Sequence, residues 1–298
     1  MCLCWYLFLI FAVTQESAAD SPTIPRPQIT IFVHGTLPKF TDHIIHKMDV
    51  PWGLNNMRYT THAPLMGRIG RILDRADHDM FPIEQSYLFG WSGHLSFTAR
   101  RYEGRILYQT IRALTGDITL IGHSHGGNVA LEVVRAAHEA GDTEFRIKRL
   151  ILLAVPSQVA TADFVKSPIF EEVISFYSHG DDTQRLDPQG IYRESKKLKK
   201  RGIDVPLFSD RYFPDCPHLI QIRVLKDKYN PGHLEFIMPG FLRSLPNFIK
   251  KAHDLEHNGA IHILNCCTGC GSVTRVKRRI SCTGKVRYVE AEDEYGFL

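Results

Sequence analysis

The chain predicts an α/β fold, a doubly wound and mostly parallel sheet, from three observations: short β-branched runs, helical segments alternating with them, and glycines at the strand ends. A parallel strand covered on both faces reads as a continuous apolar run, and residues 28–33 (QITIFV) are such a run, stopped by His34-Gly35. Residues 86–89 form a second strand leading into Gly90-Trp91-Ser92-Gly93, and residues 97–114 have helical length and spacing. Residues 118–121 (ITLI) are a third strand, ended by Gly122. In the helix expected over 128–140, Val129, Val133, Ala136, Ala137 and Ala140 share one face. Glu132, Arg135 and Glu139 point elsewhere, and Gly141 supplies the stop. Residues 149–155 and 172–178 continue the alternation, 218–225 is the last core strand expected, and 246–255 is the closing helix, with Ser244 or Leu245 near its start. Sheets of this kind place their chemistry at the carboxyl ends of strands.

Composition sets the outer bounds. With 298 residues, 44% hydrophobic and 23% charged, the chain can bury one large core and is neither disordered nor fibrous in type. Its 36 Lys and Arg against 32 Asp and Glu leave a net charge of +4 that no single block creates, so nucleic-acid binding is not implied. Residues 2–13 are an unbroken apolar run followed by Ser17-Ala18-Ala19, a small-x-small site read as the end of a secretory signal. The absence of Lys or Arg before that run keeps an uncleaved anchor or a misassigned start as alternatives. The run is too short to cross a bilayer core of ~30 Å as a helix.

The organisation expected is a signal over 1–19, a linker over 20–27, a catalytic domain over 28–256 and a β-like appendage over 257–298. The destination is then secreted or periplasmic, where disulfides can form. Cys266, Cys267, Cys270 and Cys282 cluster in the tail. Their spacing lacks the paired CxxC of a strong zinc site, which favours disulfides and leaves free thiols open. No metal and no cofactor is expected.

Gly122-His123-Ser124-His125-Gly126 is a G-x-S-x-G set between a strand and a helix. The motif is common by chance, and this context gives it meaning: a serine on a sharp turn projects its hydroxyl above the sheet. A serine hydroxyl is a weak nucleophile, so it needs a base within reach and a carboxylate to orient that base. Asp181 follows the 172–178 strand through His179-Gly180, with Asp182 as its rival. His233 follows the 218–225 strand through Pro231-Gly232 and stands apart from the other histidines by its place after the acid. An oxyanion would be held by the backbone N–H of His125 and by that of Thr36 in the Val33-His34-Gly35-Thr36 turn.

Taken together, IFVHGT, YLFGWSG, ITLIGHSHGGNVA, FYSHGDD and NPGHLEF resemble the α/β-hydrolase superfamily, in particular its lipase and esterase-like branch, over residues 28–255. The resemblance implies an acyl-transfer triad of Ser124, Asp181 and His233. It gives no substrate; the leading expectation is a serine hydrolase acting on carboxylic esters, with lipids or thioesters as candidate substrates. The same scaffold hosts acyltransferases and non-catalytic binding proteins, so both remain alternatives. Two inserts, 38–85 and 184–217, depart from a minimal version and are candidates to cap the site. The second carries Lys196, Lys197, Lys199, Lys200 and Arg201 beside apolar residues. That pattern fits a solvated helix face, with peripheral contact to an anionic membrane surface as the alternative.

Overall fold

Each buried strand needs apolar cover on two faces, and the alternation of strands with amphipathic helices supplies it. The computed structural model describes residues 26–36, 50–60, 64–226, 229–255, 261–267, 270–280 and 286–290. Its strands are β1 (Gln28–Val33), β2 (Gly53–Asn56), β3 (Ser86–Gly90), β4 (Asp117–His123), β5 (Arg149–Leu153), β6 (Val173–Tyr177), β7 (Leu219–Leu225), β8 (Ile261–Cys267), β9 (Cys270–Ile280) and β10 (Val286–Glu290). They form one sheet in the order β2-β3-β1-β4-β5-β6-β7-β8-β9-β10. Pairing is parallel from β3 to β8, with β2 antiparallel at one edge and β9 and β10 antiparallel at the other.

The helices are α1 (Pro64–Ala76), α2 (Phe97–Ile111), α3 (His125–Ala140), α4 (Asp182–Arg185), α5 (Ser195–Lys200) and α6 (Pro239–His253). α2 packs against α3, and α1 against α6. Alternate residues of β1 feed two separate cores. Ile29, Ile31 and Val33 join the cluster of Leu107, Ile111, Val129 and Val133. Phe32 joins Ile69, Leu73, Leu245 and Ile249. Each such side chain contributes ~1.5–3 kcal/mol by leaving water.

From β1 the chain builds β3 on one side, then crosses back to lay β4 on the other. The carboxyl ends of β1 and β4 therefore flank the point where strand order reverses, and a crevice opens there in sheets of this type.

The structure revises several expectations. The closing helix begins at Pro239, not near Leu245, and Pro246 lies inside it, buried. Proline at the first helical position suits the missing N–H. The interior proline is tolerated because Leu242, Leu245, Phe248 and Ile249 are buried around it. Helix α3 begins at His125, before the expected Asn128. Glu132 does not point away from the core: it is buried, and Arg135 Nε donates to its carboxylate at 2.7 Å. Residues 218–225 are not the last strand, because β8 pairs in parallel beyond β7. The β appendage expected of the tail is thus built onto the edge of the main sheet.

The described part of the 38–85 insert supplies β2 and α1, which extend and cover the sheet. Residues 1–25, which hold the expected signal and most of the expected linker, lie outside the described residues, as do Cys282 and the side chains of Cys266, Cys267 and Cys270. Cys267 and Cys270 oppose each other in the β8–β9 register, and among the described residues Cys216 is a free thiol. No helix among the described residues is long and apolar enough to cross a membrane.

Candidate active site

Strand β4 passes into α3 with a single residue between them, Ser124, so the whole change of direction falls on that residue. Its backbone is accordingly forced to φ 53° and ψ −136°, a conformation that costs a non-glycine residue ~1–3 kcal/mol and clusters at functional sites. The Ser124 N–H donates to Leu153 O at 2.9 Å and fixes the turn against β5. Gly126 is required by close approach: a Cβ there would stand 2.2 Å from Val33 O and 2.4 Å from His34 O. The helix start and the end of β1 can meet only through glycine.

The acid loop follows β6. Asp181 is fully buried, and its carboxylate serves two donors: Oδ1 accepts the Gln184 N–H at 2.9 Å, capping α4, and Oδ2 lies 2.7 Å from His233 Nδ1. Because a carboxylate accepts, the bond is donated by the His233 Nδ1–H. Arg211 clamps the same loop, donating to the carbonyls of Ser178, His179 and Asp181 at 2.9, 3.2 and 3.0 Å. Asp182 is exposed and turned to Arg185 at 3.4 Å. His233 opens a short 3-10 turn (His233–Ile237), which Glu235 anchors by accepting the Gly232 N–H at 2.9 Å.

The third part is the turn after β1. Gly35 lies against the serine, since a Cβ on it would be 2.7 Å from Ser124 Cβ. His34 braces this turn from within: its Nδ1–H donates to Gly35 O at 2.7 Å, and its Nε2 accepts the Trp91 N–H at 3.2 Å. The indole Nε1–H in turn donates to His34 O at 2.6 Å. Thr36 follows, half-buried, its Oγ1 without a partner among the described residues.

A strained serine elbow on the strand beside the switch point, an acid after β6 and a histidine after β7 in contact with that acid define the architecture. The chain has the α/β-hydrolase fold. In this fold Gly35 lies against Ser124 at the carboxyl ends of β1 and β4 and His233 contacts Asp181, while no hydrogen bond joins Ser124 to His233 among the described residues. No family model and no curated protein matches the chain. Among solved structures, it resembles a thermostable esterase from Pseudomonas putida, with 12% identity over 78% of this chain and 74% of that one and a TM-score of 0.40. It also resembles a hyperthermophilic esterase from the archaeon Pyrobaculum calidifontis, with 12% identity, 77% and 74% coverage and a TM-score of 0.38. An esterase/lipase from an uncultured bacterium covers 79% of this chain and 80% of its own at 13% identity and a TM-score of 0.39.

The side chains that brace this candidate site were not marked by the sequence. The His123 ring stacks at a tilt on His233, centroids 4.8 Å apart. The His125 ring lies 3.1 Å from Asp187 through Nε2. Asp187 sits in the 184–217 insert and also accepts from Gln158 Nε2 at 2.6 Å, Tyr192 OH at 2.5 Å and Ser209 Oγ. Despite burial, which raises it, these donors hold the Asp187 carboxyl well below the usual carboxylate range. Gln158 in turn receives the buried Arg100 guanidinium at 2.9 Å. The insert is thereby tied to the residue directly after the serine. The one signal for this was the repeated histidine around Ser124; nothing local marks Asp187.

Asp74, His78 and Glu84 could together approach a metal ion. They lie on α1 and the segment after it, and Asp74 already receives His78 Nδ1–H and the Ile83 N–H.

Proposed function

We propose that the protein is a serine hydrolase cleaving carboxylic esters through an acyl-enzyme on Ser124. The observation that carries this reading is the 2.7 Å contact between Asp181 Oδ2 and His233 Nδ1, in a fold whose elbow serine is strained and held by glycine. In the reaction, His233 Nε2 takes the Ser124 proton as Oγ attacks the carbonyl carbon. The charge that develops on the carbonyl oxygen is met by the N–H groups of His125 and Thr36. His233 then returns the proton to the leaving alcohol, and water repeats the sequence to free the acid. Asp181 keeps the imidazole in the required tautomer and stabilises it when charged.

The substrate reading is an ester with an apolar acyl chain, lipid or thioester included. Leu234 within the turn that His233 opens and Met238 just after it are about half exposed, and Leu186 is exposed just past α4. Such side chains beside the base suit an acyl chain better than a polar group.

The test is labelling by a fluorophosphonate probe together with turnover of p-nitrophenyl esters of rising chain length. Both should vanish in Ser124→Ala, which keeps the Cβ and therefore the fold. Turnover retained by that variant would sink the proposal, and added alcohol in the same assay separates delivery to water from transfer.

A further inference from the structure

Four arginines gather in a cleft where no carboxylate faces them. Arg68, Arg71 and Arg75 recur at intervals of three and four along α1 and so share a face. Arg243 stands one turn into α6. With Ile72, Ala76 and Pro239 they line a cleft of about 500 Å3. Several other surface arginines are answered by acids, as in Arg58–Glu84 and Arg101 and Arg105 with Glu139, whereas exposed Arg193 and Arg201 stand singly on the surface without an acid partner among the described residues. Here the nearby acids are committed to other groups. Asp77 holds Lys250 at 2.7 Å, and Asp74 accepts from His78 and the Ile83 amide. Among the described residues, none of the four guanidinium groups has an ion pair or a hydrogen bond.

A second, independent feature points the same way. Helix α6 has 15 residues and begins at this cleft with Pro239 at its first position, and Met238 gives it no side-chain cap. Its first turn bond is Leu242 N–H to Met238 O at 3.1 Å. The amides of Gly240 and Phe241 precede that bond at the positive end of the helix, and the space where a Cβ on Gly240 would stand is open. Unsatisfied amides and the helix dipole favour an anion there. Guanidinium groups match phosphate oxygens with paired N–H donors.

We propose that this cleft binds a group carrying several phosphates, the chemistry shared by a polyphosphoinositide headgroup and a soluble inositol polyphosphate. A single phosphate leaves most of four positive charges unanswered, whereas clustered phosphates balance them within the volume available. The site is separate from Ser124 and does not depend on the esterase reading.

The test uses the full chain and two probes. Inositol hexakisphosphate is titrated by calorimetry. Sedimentation is followed with phosphatidylcholine vesicles that are plain, doped with phosphatidylserine, or doped with phosphatidylinositol bisphosphate. The expected result is binding of inositol hexakisphosphate that weakens about tenfold or more in Arg71→Gln/Arg243→Gln. A control, Lys199→Gln/Lys200→Gln, should bind as the wild type does. Arg75→Gln, at an exposed position, gives a smaller loss and serves if the double variant does not fold. Sedimentation with the bisphosphate vesicles alone, competed by inositol hexakisphosphate, assigns the lipid headgroup; binding of the soluble probe without sedimentation assigns the free ligand. No binding, binding untouched by the arginine changes, or equal weakening in the lysine control would overturn the proposal.

Discussion

His123 Nε2–H donates to the backbone carbonyl of His233 at 3.2 Å, tying the residue before the serine to the residue proposed as its base. The elbow and the histidine loop come from opposite halves of the chain, and this bond joins them. Replacing His123 by Leu should lower kcat about tenfold, the worth of one such bond, while KM changes little. His123→Gln retains an N–H donor and should recover part of the loss. Equal kcat for wild type and His123→Leu would show that the bond positions nothing.

The two neighbouring aspartates differ sharply in surroundings, and their asparagine variants should differ as sharply. Asp181→Asn removes the charge beside His233 and should cost on the order of 10⁴ in kcat, as in the best-studied serine triad. Asp182→Asn alters an exposed side chain whose partner is Arg185 and should stay near wild type. The comparison is kcat/KM on one soluble short-chain ester, with circular dichroism on both variants. A crippled Asp182→Asn beside a normal Asp181→Asn would move the acid by one residue.

Acid should unfold this protein earlier than its carboxylates alone would. Burial strips water from three rings and lowers His34 and His125 to about 4 and His123 to about 3. Each is neutral when folded but takes up a proton in the unfolded chain below about 6.5. Between that pH and about 4 the unfolded state binds more protons, so stability falls as pH drops, by up to ~1.4 kcal/mol per pH unit for each ring. Urea midpoints taken from about pH 7.5 down to 4.5 measure the slope. A midpoint that does not move over that range would show that these rings are protonated in the folded state.

The apolar run over residues 2–13, followed by Ser17-Ala18-Ala19, leads us to expect that protein recovered from its own host begins near Asp20. N-terminal sequencing decides this. Retention of Met1 in a cytosolic protein would remove the export reading and with it the ground for disulfides in the tail.

Much of the fold was written locally. Continuous apolar runs marked β1, β4, β5 and β6 because a strand covered on both faces has no polar side to display. The junction of ITLI with an amphipathic helix marked Ser124, because a strand that turns at once into a helix leaves a single residue to bend. Asp181 and His233 were expected from their order after later strands, a rule of chain order and not of local preference. What the tertiary structure alone decided concerns partners brought from far along the chain. Asp181 rather than Asp182 faces His233 because Asp181 caps α4 and is turned inward by it. Asp187 became a buried centre through His125, Gln158, Tyr192 and Ser209, none of which its own neighbourhood names. Helix α6 starts at Pro239 and runs through Pro246 because burial of its apolar face against α1 outweighs a helix propensity that depends only on neighbours. The arginines of α1 and Arg243 of α6 make one cleft only after those two helices pack. A residue's nearest neighbours in sequence set its backbone preference, whereas its charge balance and burial are set by whatever the folded chain places beside it.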